Sequence, residues 1–540
     1  MRTVIVGGVA GGMSAATRLR RLDEHADIVV FERGLYVSFA NCGLPYFVGG
    51  AIEKRGDLLL QTPESLAGRF RLDVRVLHEV TSIDREAKVV HVRNVATGET
   101  LPEHYDSLVL AAGASARELH GADRRTFTLR TVDDVDGITT LIDAVATSPS
   151  AVVVGGGFIG LEAVDNLVRR GIRTSLVHRG PHVFGHLDPE LSSLVVDEVR
   201  ANGVEVHLNS TIARIGATTV TLADGTELDA DLIIDAAGVT PDVGLAVAAG
   251  LALGPAGGIQ VGPDQRTSDP AIFAVGDGVE KIDAVDGTSG LVTMAGLANR
   301  HGRAAADAIA ERPHPNRAAL GTAIIGVFSK TVATVGWSET RLRAAGRRFR
   351  VIHTHPSSHA TYYPGAEQMA IKLVIDPSDD AIQGAQIVGG EGVDKRIDVI
   401  ATAMSVGITA SALQDLELAY APQYGSAKDP INMLGYVAEN LAAFPDSTIQ
   451  WHELADAVAR GDRLVDVRSP VEFAAGHIPD AVNIPLDELR DRHLEIEGDL
   501  IVHCQVGQRG HTATRMLTQL GRQVRNLDGG YLTWKAGARP

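Results

Sequence analysis

Cys42 stands in Ser38-Phe-Ala-Asn41-Cys42-Gly43-Leu-Pro45-Tyr46 with no second cysteine near it. A redox thiol without a neighbour closes no internal disulfide. It must cycle through a mixed disulfide, a persulfide or a sulfenic acid. A buried inert cysteine is the ordinary alternative, but Asn41, Gly43 and Pro45 are not core-strand residues. Such a thiol needs a lowered pKa, as at a helix N-terminus. The other cysteine opens the loop Cys504-Gln-Val-Gly-Gln-Arg509, between a strand and a helix. Backbone N–H groups and Arg509 make that loop a cradle for an anion.

Two glycine turns supply a different chemistry. Gly7-Gly8-Val9-Ala10-Gly11-Gly12 follows the strand from Thr3, and Met13–Arg21 reads as the helix after it. Gly155-Gly-Gly157-Phe-Ile159-Gly160 follows a strand from Ala151 and precedes a helix over Leu161–Arg170. Glycines let the backbone approach a pyrophosphate, and the helix N-terminus adds N–H groups and partial positive charge. The first turn departs from GxGxxG at Val9. Glu32 ends the strand Asp27–Glu32, about twenty positions after Gly12, where an acid holds a ribose hydroxyl. After the second turn the strand Thr174–His178 ends in His178-Arg179, where an acid would favour NAD. Its absence, with Arg179 to pair a 2′-phosphate, predicts that NADPH serves at least as well as NADH. Two such turns in one chain suggest a flavin fed by a nicotinamide, and an oxidised flavin is a second way to lower the pKa of Cys42.

These residues need elements to position them. Strands are expected at Ser107–Gly113, Asp231–Gly238 and Ile272–Asp277, and the two turns, about 150 residues apart, mark an internal repeat. From Gly321 the pattern changes to strands at Thr331–Gly336, Arg350–His355 and Gln368–Ile375, then helices at Lys395–Gly407 and Asn432–Leu441. Ala443–Thr448 reads as a linker, and the remainder as a compact α/β unit with strands at Leu464–Val467 and Leu500–His503. At 540 residues, 45% hydrophobic and 22% charged, the chain is a multidomain globular protein. A net charge of −17 argues against nucleic acid or an anionic membrane as partner. Two cysteines exclude a disulfide scaffold and suit a reducing compartment. The first residues, Met1–Gly8, read as a short apolar strand and not a cleavable signal, and no apolar run reaches the length of a membrane span, so a cytoplasmic location is expected.

Gly7–Gly12, Gly113, Gly155–Gly160 and Phe273-Ala-Val-Gly276-Asp277 resemble the two-dinucleotide flavoprotein disulfide reductases. The resemblance implies FAD at the first turn and Glu32, NAD(P)H at the second, Asp277 at the ribityl chain, and a dimerisation domain after them. The Cys42 segment is similar to the single-cysteine branch: coenzyme A-disulfide reductases, NADH oxidases, NADH peroxidases and polysulfide reductases. The oxidases and peroxidases carry a histidine where Ala10 stands, which disfavours peroxide chemistry. His359-Ala-Thr-Tyr362-Tyr363 and Tyr420-Ala-Pro-Gln-Tyr424-Gly-Ser-Ala-Lys428 resemble coenzyme A-disulfide reductases, in which such tyrosines reach the partner subunit's cysteine. Asp466-Val-Arg468-Ser-Pro-Val-Glu472, Gly476-His477-Ile-Pro and Cys504–Arg509 resemble the single-domain rhodaneses over about 450–540.

The implied fold class is α/β. It comprises two Rossmann-like domains, FAD (1–120 and 240–320) and NAD(P)H (121–239), and an α+β dimerisation domain (321–440). A linker (441–449) leads to an α/β rhodanese domain (450–540). The candidate catalytic residues are Cys42, Tyr363, Tyr424, Cys504 and Arg509. The candidate cofactor residues are Gly7, Gly8, Ala10, Gly11, Gly12, Glu32, Arg33, Asn41, Gly113, Gly155, Gly157, Ile159, Gly160, His178, Arg179, Gly238, Gly276, Asp277 and Ala295. Ser38, Asn41, Arg18, Arg21, Tyr362, Tyr420 and Lys428 are the candidate substrate residues, the basic ones for coenzyme A phosphates; no metal is expected. The implied activity is NAD(P)H- and FAD-dependent reduction of coenzyme A disulfide, coenzyme A persulfide or polysulfide by a homodimer, with the rhodanese handling sulfane sulfur. An NADH oxidase carrying a rhodanese and a persulfide-sensing or sulfur-delivery module are the alternatives.

Overall fold

The strand Arg2–Val6 is apolar because it lies in the middle of a sheet, with Val4 and Ile5 fully buried. In the computed structural model, which describes residues 1–117, 123–145, 148–312 and 316–539, that sheet is parallel and five-stranded. Its order is Ile272–Ala274, Ser107–Leu110, Arg2–Val6, Asp27–Glu32, Asp73–Val76. Val6 pairs with Phe31 on one side and Leu110 on the other. The chain leaves Val6 through the glycine turn, forms the helix Ala10–Leu22 and returns on one flank, reaching the other flank only later. The turn therefore lies where the strand order reverses, the crevice in which open α/β sheets bind ligands. A second parallel sheet repeats the plan: Glu205–His207, Arg173–Val177, Ser150–Val154, Leu232–Asp235, Thr126–Phe127. The expected boundary between residues 120 and 121 lies outside the described residues.

Two compact units result: 1–179 with 203–321, and 180–202 with 322–540. The stretch 180–202, expected inside the segment 121–239, thus packs in the second unit. Its buried Asp188 accepts N–H bonds from Glu339 and Thr340, both at 2.9 Å. In that unit the strands Ala323–Val327, Lys330–Gly336, Ile382–Gly389, Ala370–Ile375 and Arg350–Thr354 form an antiparallel sheet in that order. The later helices are Val393–Val406 and Pro430–Ala443. The second begins two residues before the expected Asn432, because Asp429 caps Ile431 N–H and Pro430 fits the first turn.

The last sheet is parallel, in the order Thr448–Ile449, Val524–Leu527, Leu500–His503, Arg463–Asp466, Val482–Asn483. The expected linker 441–449 is corrected here. Residues 441–443 are still helical with Leu441 buried, and 448–449 already pair with Asn526 and Leu527, leaving only 444–447 between. Nor is the C-terminal sheet free to reposition on that linker. His353 of the antiparallel sheet is buried with Nδ1 2.7 Å from Asp528 and Nε2 2.9 Å from Glu190. Glu190, Asp188 and Glu339 converge on the fully buried Lys372 ammonium at 2.6, 2.9 and 2.8 Å. His355 and Thr533 add a bond of 2.7 Å.

Candidate active site

At the first switch point the backbone leaves a cavity of about 1090 Å³, lined among others by Gly7, Ala10, Gly11, Glu32, Asn41, Cys42, Gly113, Asp277 and Ala295. Gly7 has φ +107°, and a Cβ there would lie 2.4 Å from the Ala111 carbonyl oxygen. A Cβ on Gly12 would lie 1.9 Å from the Gly7 oxygen, so only glycine lets the helix start this close to the strand. Glu32 accepts N–H bonds from Gly8 (2.8 Å) and Gly34 (2.7 Å), which fixes its carboxylate at the cavity wall. Arg33 also lines the cavity and lies 3.4 Å from Asp242. Gly276 turns at φ +85° and presents Asp277, whose carboxyl is pushed up by burial against the pull of Lys281 and Arg130.

Cys42 is exposed in the one-turn helix Asn41–Gly43, ahead of Leu44–Val48. Its loop is tied down by backbone bonds from Ala40 to Leu58 (2.8 Å), from Leu60 to Ser38 (3.2 Å) and from Ser38 to Gly8 (2.8 Å). A helix N-terminus or an oxidised flavin was expected to lower its pKa; the protein groups around it act the other way. Desolvation raises it, and the Glu162 and Asp277 carboxylates raise it further. Glu162 was not singled out in the sequence. It accepts from the Tyr46 hydroxyl at 3.1 Å, and that phenol is pushed up to about 12 by burial and by Glu162. The signal was there in outline: Tyr46 is four residues past Cys42, and Glu162 two past Gly160.

The second turn has the same geometry. Gly155 has φ +106°, and a Cβ on Gly160 would lie 1.8 Å from the Gly155 oxygen. Gly157 precedes the helix Phe158–Arg169, which carries Ile159 in its first turn, and a Cβ there would meet nothing within 4 Å. Gly156 N–H donates to Nδ1 of His178 at 3.1 Å, the place that Glu32 takes under Gly8 at the first turn. Arg179 beside it is exposed. Gly238, at φ +113°, closes the strand Leu232–Asp235 and accepts from Arg117 N–H at 2.9 Å.

In the second unit, Cys504 is buried at the end of Leu500–His503, and its carbonyl accepts from Tyr531 N–H at 2.8 Å. The helix Gln508–Gln519 starts four residues later, behind Gly507 at φ +91°. Arg509 clamps Glu472 with two bonds of 2.9 and 2.6 Å. That pair, burial and then the neighbouring Cys504 sulfur set its pKa, with the net shift upward. Arg468 is buried against Asp466, donates to Gln505 Oε1 at 2.9 Å, and stacks over Tyr531.

The same unit brings the two tyrosine loops together. Ala360 N–H bonds the Gly425 carbonyl at 3.0 Å, and the Tyr362 and Tyr420 hydroxyls are 2.7 Å apart. Tyr363 lies edge-on to His359, and all four tyrosines are between 44% and 74% exposed. Of the basic candidates, Arg18 is paired with Asp307 at 2.7 Å and is partly exposed. Arg21 lies over the Phe70 ring, and Lys428 is exposed.

A family model, the pyridine nucleotide-disulphide oxidoreductase, matches residues 1–297. The chain belongs to that family. Its dimerisation-domain model matches residues 322–429, and a rhodanese-like domain model matches 450–537. A coenzyme A disulfide reductase of Staphylococcus aureus is 36% identical over 444 residues, 81% of this chain and all of that one. The reduced Bacillus anthracis CoADR-RHD superposes with TM-score 0.97 at 44% identity, covering 99% of this chain and 98% of that one. A NAD-dependent persulfide reductase from A. fulgidus gives TM-score 0.93 at 33% identity, over 99% and 100%.

As a member of this family the enzyme uses FAD and NAD(P)H. Both glycine turns fit a dinucleotide: each is a cradle that a Cβ would fill, with the open face of Gly157 leaving room for a pyrophosphate. Glu32, Asp277 and Ala295 would hold the flavin nucleotide, and His178 and Arg179 the far end of the nicotinamide nucleotide. No helix among the described residues is long and apolar enough to cross a membrane.

Proposed function

We propose that the enzyme is a cytoplasmic homodimer that reduces coenzyme A disulfide, coenzyme A persulfide or polysulfide with NAD(P)H, through Cys42. The observation that carries this reading is an exposed single thiol in the wall of the dinucleotide cavity, beside Asn41 and Asp277. When bound, the cofactors would supply two electrons, from nicotinamide through flavin, to the disulfide or persulfide that forms on Cys42. The Cys42 thiolate attacks one sulfur of the substrate; the S–S bond breaks, and the leaving thiolate takes up a proton. Reduction of the resulting mixed disulfide or persulfide regenerates Cys42 and releases a second thiol or hydrogen sulfide. Burial and the Glu162 and Asp277 carboxylates push the Cys42 thiol up, and a bound oxidised flavin would supply the opposing pull. The Tyr46–Glu162 pair orders the helix behind the thiol. Tyr363 and Tyr424, with Tyr362 and Tyr420 beside them, are the hydroxyls proposed to meet the leaving thiolate across the dimer, and Arg18, Arg21 and Lys428 the candidates for coenzyme A phosphates. Cys504 takes sulfane sulfur from a donor and hands it to a mobile carrier thiol, such as that of coenzyme A.

The test is turnover with the three sulfur substrates side by side and with oxygen alone, followed by stopped flow. Rapid turnover with a sulfur substrate and slow turnover with oxygen are expected. Rapid oxygen turnover with no sulfur substrate would make the enzyme an NADH oxidase instead, the chemistry that Ala10 in the first turn disfavours.

A further inference from the structure

The Cys504 pocket carries two guanidinium groups, and each is matched by a carboxylate. Arg468 is spent on Asp466, Gln505 and the Gly476 carbonyl, at 2.7, 2.9 and 2.7 Å. Arg509, which reaches the Cys504 sulfur, is spent on Glu472, at 2.9 and 2.6 Å. Glu472 is itself anchored. The Ser469 N–H and hydroxyl both donate to it at 3.0 Å, and Glu472 N–H returns a bond to the Ser469 hydroxyl at 3.3 Å. This reciprocal cap fixes the carboxylate at the start of Pro470–Ala474. The Arg509 pair and these donors hold it ionised, with its pKa lowered to about 2. An arginine free at the mouth of such a loop would attract a doubly charged oxyanion donor by a bidentate pair. Here a fixed carboxylate already occupies both N–H directions of that pair.

We propose that Glu472 determines donor specificity: by holding Arg509 it disfavours dianionic sulfane donors of the thiosulfate type and leaves the pocket to persulfides carried on thiols. This rests on reading Cys504 as the sulfur-carrying thiol. With either donor the Cys504 thiolate attacks the outer sulfur, and the S–S bond breaks. The electron pair leaves on sulfite from thiosulfate, or on a thiolate from a persulfide. An acceptor thiolate or cyanide then attacks the outer sulfur of the Cys504 persulfide, and the Cys504 thiolate is restored. Neither half needs an outside oxidant or reductant.

The test is sulfur transfer by the full-length holoenzyme from thiosulfate and from glutathione persulfide, each as kcat/KM, in wild type, Glu472→Gln and Glu472→Ala. Glutamine keeps an acceptor for Ser469 and removes only the charge, so the cap survives. The ratio of thiosulfate to persulfide kcat/KM should rise about tenfold in both variants, mostly through a lower KM for thiosulfate, with persulfide transfer changed less than about twofold. A ratio unchanged or lowered overturns the proposal. Equal loss on both donors also overturns it, because Glu472 would then merely brace Arg509. Cys504→Ser separates the two readings. Sulfur transfer retained in that variant defeats the assignment of Cys504, whereas an inert Cys504→Ser with an unchanged donor ratio defeats only the role of Glu472.

Discussion

Replacing His353 by glutamine tests whether charge fastens the C-terminal sheet to the antiparallel sheet beside it. His353 is 3% exposed and sits between Asp528 and Glu190. Burial alone would lower its pKa, but the bonds to Asp528 and Glu190 outweigh it and raise the imidazolium to about 9 from an ordinary 6.5. A shift of that size is worth on the order of 3 kcal/mol of folding free energy at about 1.4 kcal/mol per pH unit. The folded-state value is the raised one. The contribution is therefore complete below about pH 6.5, mostly present at pH 7, and lost as the pH rises through 9. Glutamine removes the charge while Lys372 stays on Glu190 and Gln450 on Asp528. All 3 tryptophans, Trp337, Trp451 and Trp534, lie in this unit, so their fluorescence in a urea titration reports its unfolding. The gap between wild type and His353→Gln should be about 3 kcal/mol at pH 6.5 and shrink to under about 1 kcal/mol at pH 10. A gap that stays constant over that range would refute the charge argument.

Three further outcomes are expected. NADPH should match or exceed NADH in kcat/KM, and Arg179→Ala should cost about tenfold with NADPH alone; a large NADH preference in wild type would contradict the role of His178 and Arg179. Cys504→Ser should slow turnover with polysulfide or persulfide donors and spare reduction of preformed coenzyme A disulfide, a comparison read from NAD(P)H consumption; no loss on either would mean that no relay operates. Tyr363→Phe and Tyr424→Phe should each lower kcat on coenzyme A disulfide by about tenfold or more, with FAD content unchanged; unchanged kcat would confine these hydroxyls to packing.

The glycine turns were legible because their residues answer to backbone distances: a Cβ at Gly12 or Gly160 would strike an oxygen under 2 Å away, and no other residue type fits. The two thiol segments were legible by residue type. The strand Ile382–Gly389 was not, since Gln383, Gly384, Gln386 and Gly389 interrupt any apolar run, while pairing on both sides buries all eight residues. The placement of 180–202 depends on Lys372 meeting Glu190, 182 positions away, and a buried ion pair leaves no periodicity to read. The raised pKa of Cys42 was hidden for a similar reason. Glu162 and Asp277, which oppose its ionisation, come from two other elements. Glu472 stood within a quoted motif, but its grip on Arg509, 37 positions on, is set by the fold.

The central claim is that Cys42 alone passes electrons from the cofactors to sulfur. Single-turnover stopped flow on Cys42→Ser tests it most directly. The variant should bind FAD and be reduced by NAD(P)H at a rate within about a few-fold of wild type, because those steps need only the two nucleotide sites. It should show no thiolate–flavin charge-transfer absorbance and release no thiol from coenzyme A disulfide or persulfide. Thiol release at a rate near wild type would place the nucleophile elsewhere and contradict the account.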